Sequence, residues 1–239
     1  MDDAMWAKAL ETLRNYIFKI STPETQGTGF LITRYKSGPL CGIATAYHVI
    51  HHSHTWEEPI KIIHTASDKQ VILRNPDRFI FANPQMDIAI TGFMNEDLDL
   101  PETELTLAPE GKYLKQGMQL GWVGYPALAP NHFSFFSGFI SCYLNDQKAY
   151  LVDGVAINGV SGGPAFTVIG KEKIHLIGLV SAYIPNRAAG ESLPGVCFVV
   201  GMYSLYKIIK TIRSVEEARE KVEQIEAQQS PSVTANSRR

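Results

Sequence analysis

The chain has 239 residues, 45% of them hydrophobic and 19% charged, with a formal net charge of −2. Such a chain can bury one large core or two smaller ones, and a charge so close to zero leaves no footprint for nucleic acid or an anionic membrane. No apolar run is long enough to span a bilayer, and the acidic opening MDDAMWAKAL lacks the basic and apolar stretches of a signal peptide.

Residues 2–14 set Met5, Leu10 and Leu13 among polar residues, which predicts a short amphipathic helix in an N-terminal unit 1–14. Short apolar runs follow, among them Tyr16 to Ile20, Gly29 to Thr33, Ile43 to Ala46, Ile88 to Ile90, Met118 to Val123, Phe133 to Leu144, Ile174 to Tyr183 and Val196 to Val200. Most are about four to eight residues long, bounded by Gly, Pro, Asn or Asp and rich in Ile, Val, Phe and Tyr, which is strand vocabulary. No helix-length periodic segment lies between about 20 and 200, which excludes a βαβ architecture and predicts an all-β domain over 15–202. A polar gap at 95–111, with Pro101 and Pro109, divides it into groups of about six strands, near 15–100 and 112–202. Leu205, Ile208, Ile209 and Ile212 then repeat at helical spacing, predicting a C-terminal helix over 203–228 whose first half packs on the domain. Residues 229–239 read as a disordered tail. Cys41, Cys142 and Cys197 are odd in number, far apart and set in apolar runs, which predicts buried free thiols and a cytoplasmic setting.

The stretch N-G-V-S-G-G-P-A-F (158–166) holds the chemistry. A serine hydroxyl needs a base to take its proton, and the oxygen of an attacked carbonyl needs N–H donors. Gly159 lets the backbone aim its own N–H and that of Ser161 at one point, while Gly162 and Gly163 permit close approach. The letters also satisfy the nucleophile elbow of α/β-hydrolases, but a strand-like run follows, and downstream only Glu172 and His175 lie near, too close together to complete a triad. The base must therefore lie upstream. His48 in I-A-T-A-Y-H-V-I and Asp87 in M-D-I-A-I give the order His, Asp, Ser, a recurrent triad order. The histidines His48, His51, His52 and His54 lack a metal-binding spacing, so no metal or other cofactor is expected.

These pieces, with G-T-G-F-L-I (27–32), G-W-V-G-Y-P (121–126), S-G-F-I-S (137–141) and G-L-V-S-A (178–182), resemble the chymotrypsin-fold serine proteases, closest to the HtrA-type, trypsin-like bacterial peptidases. The resemblance implies two six-stranded antiparallel β-barrels with the site between them. It implies a serine endopeptidase acting on protein or peptide substrates, with His48 as base, Asp87 as its orienting partner, Ser161 as nucleophile and Gly159 and Ser161 as the oxyanion hole. It also implies a substrate-binding set of Val155 as pocket floor with Ser181, Tyr183 and Gly195, favouring small or medium apolar residues. Val160 stands where secreted members carry the Asp of the zymogen switch, and no PDZ domain is expected after the protease. Control is instead expected from ordering of the loops Tyr125 to Ser137 and Tyr183 to Gly195, biased by a regulatory protein partner. The alternative is a pseudoprotease, a protein-binding module on the same fold.

Overall fold

The computed structural model describes residues 3–34, 40–170, 173–188 and 191–229. The chain opens with helix α1 (Asp3–Leu13) and continues through β1 (Ile17–Ser21), β2 (Gln26–Arg34), β3 (Leu40–Thr45), helix α2 (Tyr47–Thr55), β4 (Ile60–His64), β5 (Gln70–Leu73), β6 (Arg78–Asn83) and β7 (Ile88–Met94). A second set follows: β8 (Thr106–Leu107), β9 (Gln119–Gly124), β10 (Ser134–Leu144), β11 (Ala149–Asp153), β12 (Pro164–Ile169), β13 (Lys173–Ala188), β14 (Glu191–Gly201) and helix α3 (Tyr203–Gln229). The first seven strands form one antiparallel sheet in the order β5-β4-β1-β2-β3-β7-β6, a half-barrel whose end strands do not pair. In the second sheet β12-β9-β10-β11-β14-β13 closes on itself through β12–β13, giving a six-stranded barrel, and β8 adds in parallel to β13. The expected two-barrel, chymotrypsin-like architecture is present, with one barrel closed and the other open.

Strands at the centre of the first sheet are buried on both faces, so their sequences run apolar without alternation. From Gly27 to Thr33 every residue of β2 is buried. Trp122 anchors the second barrel, fully buried with Val152, Val180 and Val199. Helix α1 docks on that barrel along a face centred on Trp6, Ala9 and Leu13 rather than on Met5 and Leu10. Trp6 sets its ring 5.0 Å from Phe135 and 5.4 Å from Phe166, over Gly121, where a Cβ would lie 2.6 Å from the indole.

The segment between the sheets is less polar in space than in sequence. Leu98, Leu100 and Leu105 are buried, and Arg34 Nη1 donates to the Leu100 carbonyl at 3.0 Å. The first half of α3 buries Leu205, Ile209 and Ile212, as expected, while Val222 in the second half is exposed. Lys210 and Arg213 on α3 pair with Glu110 and Glu104 of the inter-sheet segment. Of the tail expected at 229–239, Gln229 is the last residue of α3, and the rest lies outside the described residues.

Two elements differ from expectation. Helix α2 stands in the middle of the β region; it is nine residues long, four of them histidine, too short for apolar periodicity to declare it. The segment Tyr183 to Gly195, expected as a loop from its Pro and Gly content, instead carries the ends of β13 and β14, paired as Ile184 with Val196 and Asn186 with Leu193. A bulge between Ile184 and Asn186 takes up Pro185, which has no N–H to give the ladder.

Candidate active site

His48 is the second residue of α2. The helix supplies no side-chain cap of its own, and the cap comes instead from across the sheet. Tyr47 N–H donates to the Asp87 carbonyl at 3.1 Å, and His48 N–H donates to Asp87 Oδ1 at 2.8 Å. The carboxylate thus sits at the positive end of a helix while its other oxygen takes the imidazole, with His48 Nδ1 2.7 Å from Asp87 Oδ2. Asp87 reaches this place from a left-handed backbone, φ 50 and ψ 44, a conformation that Asp and Asn tolerate better than other side chains. It follows a one-turn helix over Pro84–Met86, capped by the Asn83 side chain, which accepts from Met86 N–H at 3.3 Å.

Burial alone would raise the Asp87 carboxyl, but hydrogen bonds from the His48 ring and the Ser181 hydroxyl, with the His48 charge and N–H, outweigh it and hold the group below its ordinary value. An ionised carboxylate only accepts, so His48 Nδ1 carries a proton, and in the neutral ring this leaves the lone pair on Nε2. The side chain of His48 is half-exposed.

Ser181, on β13, joins the pieces. Its hydroxyl donates to Asp87 Oδ2 at 2.5 Å, and its carbonyl accepts from Ser161 Oγ at 3.3 Å. In this structure the Ser161 hydroxyl is therefore turned to Ser181 rather than to His48.

The loop around Ser161 is held by a set of backbone hydrogen bonds. Ala127 N–H donates to the Asn158 carbonyl at 2.6 Å, Val160 N–H to Ile157 O at 3.0 Å, and Gly163 N–H to Val160 O at 2.9 Å. Gly162 N–H donates to Val180 O at 2.7 Å, and Thr28 N–H to Ser161 O at 2.8 Å. Among the described residues no acceptor meets the N–H of Gly159 or of Ser161. In a trans peptide the C=O and the following N–H point opposite ways. Anchoring Asn158 O and Val160 O thus aims these two amides away from the loop's own bonds. Gly159 has φ +92, and a Cβ there would lie 2.2 Å from the Tyr125 carbonyl, so only glycine serves.

The family model for the trypsin-like peptidase domain matches residues 27–179, which includes His48, Asp87, Gly159 and Ser161. The chain belongs to that family. It is a serine protease, and its fold agrees with solved structures. A mutant of Rv3671c from M. tuberculosis H37Rv in its inactive form superposes with a TM-score of 0.61 at 19% identity, covering 89% of this chain and 94% of that one. Deg5 superposes at 0.64 with 17% identity over 87% of this chain and 94% of the other. A serine endoprotease from Yersinia pestis does so at 0.64 with 15% identity, over 86% of this chain and 65% of that chain. A search of curated protein sequences returns no match.

The structure of this peptidase brings His48, Asp87, Ser181 and Ser161 into one hydrogen-bonded series, with Gly159 beside Ser161. Val155 is 54% exposed, whereas its neighbour Ala156 is buried. The backbones of Tyr183 and Gly195 lie in β13 and β14; their side-chain environment falls outside what is described. Val160 is fully buried with Trp122 and Val152, so packing stands where a zymogen ion pair would be. The remaining histidines of α2 have other partners: His52 lies 2.9 Å from Glu58 and 3.2 Å from Glu24, and His51 packs on Tyr47. Sequence reasoning missed Thr28 and Ala127, which hold the Ser161 loop. The one signal was a threonine between two glycines inside an apolar run.

Proposed function

We propose that the protein is a serine endopeptidase working by acyl transfer. Ser161 Oγ attacks the peptide carbonyl while His48 Nε2 takes its proton. The oxyanion is met by the N–H groups of Gly159 and Ser161, and His48 then protonates the leaving amine before water hydrolyses the acyl-enzyme. Asp87 keeps His48 in the required tautomer and stabilises its cation. The observation that carries this reading is the pair of unbonded amides beside a histidine whose Nδ1 is committed to a carboxylate. Unfolded casein is the test substrate: cleavage by the wild type and none by Ser161→Ala supports the reading, and equal cleavage by both sinks it.

The Ser161–Ser181 hydrogen bond supports control at the nucleophile, since the hydroxyl must leave Ser181 O before it reaches His48. The segment Tyr125 to Ser137 carries Ala127, which holds Asn158 O, so a regulatory protein acting on this segment or on α3 would bear directly on the oxyanion amides. Full casein cleavage by the isolated protein, unchanged by any added partner, would remove this part. The same hydrogen bond favours the second reading, a pseudoprotease that binds proteins without cutting them. For specificity, Val155 with Tyr183 and Gly195 supports small or medium apolar residues at the cleaved position; cleavage profiles dominated by Arg or Lys would overturn that. Burial pushes the Cys41 thiol up to about 11 and Cys197 to about 12, which supports a packing role for both; that all three cysteines are free supports the reducing, cytoplasmic setting proposed for the protein.

A further inference from the structure

Thr28 lies on β2, in the first sheet, yet its bonds reach the nucleophile loop of the second. Its hydroxyl donates to the Gly159 carbonyl at 2.8 Å and accepts from Tyr125 N–H at 3.1 Å. Its own N–H donates to Ser161 O at 2.8 Å, and its carbonyl accepts from Thr45 Oγ1 at 2.7 Å, three residues before His48. The side chain is fully buried. The fit has no slack: a Cβ on Gly162 would lie 2.2 Å from the Thr28 carbonyl and 2.3 Å from Thr45 Oγ1.

Three planes decide where the two free amides point. Ala127 fixes the peptide between Asn158 and Gly159, and Gly163 fixes the one between Val160 and Ser161. The plane between them carries the Gly159 carbonyl and the Val160 N–H: Ile157 O accepts from the N–H at 3.0 Å, and the Thr28 hydroxyl donates to the carbonyl. Gly159 sits at φ +92 without a Cβ to limit rotation. Among the described residues the Thr28 donor on its carbonyl is the one side-chain hold on this plane and, with the Val160–Ile157 bond, fixes the angle between the amides.

We propose that Thr28 is a positioning residue for the oxyanion hole: its hydroxyl, held from the first barrel, fixes the Gly159 carbonyl so that the N–H groups of Gly159 and Ser161 converge on one oxygen. This rests on the acyl-transfer reading above. Thr28 touches neither substrate nor the reacting atoms. It acts through Gly159, and a valine in its place keeps the shape while removing both the donor to Gly159 O and the acceptor for Tyr125 N–H.

The test compares Thr28→Val and Thr28→Ser with the wild type. A fluorophosphonate probe, whose phosphoryl oxygen occupies the same hole, gives both a second-order rate constant and an end-point fraction labelled. Thr28→Val is expected to slow labelling about 10- to 100-fold at an undiminished end point, less than the roughly 10²–10³-fold of removing an oxyanion donor outright. Thr28→Ser should stay within about threefold of wild type, because the hydroxyl survives. With p-nitrophenyl acetate the loss should fall on kcat and leave KM unchanged. A purely structural role would instead lower the end-point fraction and keep the rate constant per labelled site; that result, or a Thr28→Val rate equal to wild type, overturns the proposal. A readout without catalysis separates it from the reading beneath it. In Ser161→Ala protein, the Gly159 amide resonance should move with Thr28→Val and hold with Thr28→Ser. If wild type labels nowhere, the acyl-transfer reading falls, and an unmoved Gly159 resonance still decides against Thr28.

Discussion

Asp87→Asn separates the carboxylate's charge from its shape. Asn fits the left-handed backbone, and its amide oxygen can still accept from His48 N–H, the 2.8 Å bond that caps α2. Its NH2 group then faces both His48 Nδ1 and Ser181 Oγ, which in the wild type stand 2.7 and 2.5 Å from Oδ2. An NH2 group donates, so Nδ1 must give up its proton, Nε2 takes it, and the base loses the lone pair that would accept the Ser161 proton. The expected loss in labelling or hydrolysis is roughly 10⁴-fold, the size of a wrong-tautomer effect. Stability falls as well, by about 1–3 kcal/mol at pH 7, through lost charge–dipole attraction at α2 and weaker hydrogen bonds to His48 and Ser181. The sign with pH follows from the carboxyl being held below its ordinary value of 3.8. Its contribution is fully present above that value and is lost as pH falls through the depressed folded value. The gap between wild type and Asp87→Asn, measured by urea unfolding, should therefore be constant at neutral pH and close below about pH 3.8. A rate loss under tenfold, or a stability gap that persists in acid, would refute this account of Asp87.

Trp6→Ala should destabilise by about 3–5 kcal/mol, since it empties the space against Phe135 and Phe166; a change under 1 kcal/mol in denaturant unfolding would show that α1 does not dock. Gly162→Ala, at φ +84 with a Cβ 2.2 Å from the Thr28 carbonyl, should abolish Ser161 labelling while far-ultraviolet circular dichroism still reports strands. Labelling at the wild-type rate would contradict the packing of the Ser161 loop. At pH 8 Cys142, half-buried, should react with a thiol reagent before Cys41 and Cys197, which are buried and whose thiols are pushed up to about 11 and 12. Equal reactivity of all three in the folded protein would count against that burial.

Much of this was legible in the sequence because it is local. The glycines around Ser161, the strand before His48 and the strand that Asp87 opens each leave marks within about ten residues, and their order along the chain is read directly. The packing half of α3 was equally plain, since Leu205, Ile209 and Ile212 declare one face. What escaped depends on distance along the chain. Thr28 and Gly159 are 131 positions apart, and no spacing rule links them. Helix α2 is capped by Asp87 from 39 positions away, so no capping signal precedes it. Proline and glycine made Tyr183 to Gly195 read as a loop, but a bulge lets the hairpin continue past them. The polar segment after β7 hid three leucines whose burial becomes visible only once the two sheets and α3 are in place.

The most direct measurement is the site and rate of fluorophosphonate labelling, located by peptide mass mapping in wild type and in Ser161→Ala. The account predicts one adduct on Ser161, formed in the folded protein and lost in the variant and on denaturation. An adduct on another residue at the same rate in both proteins, or none on Ser161 under any condition that supports casein cleavage, would contradict it.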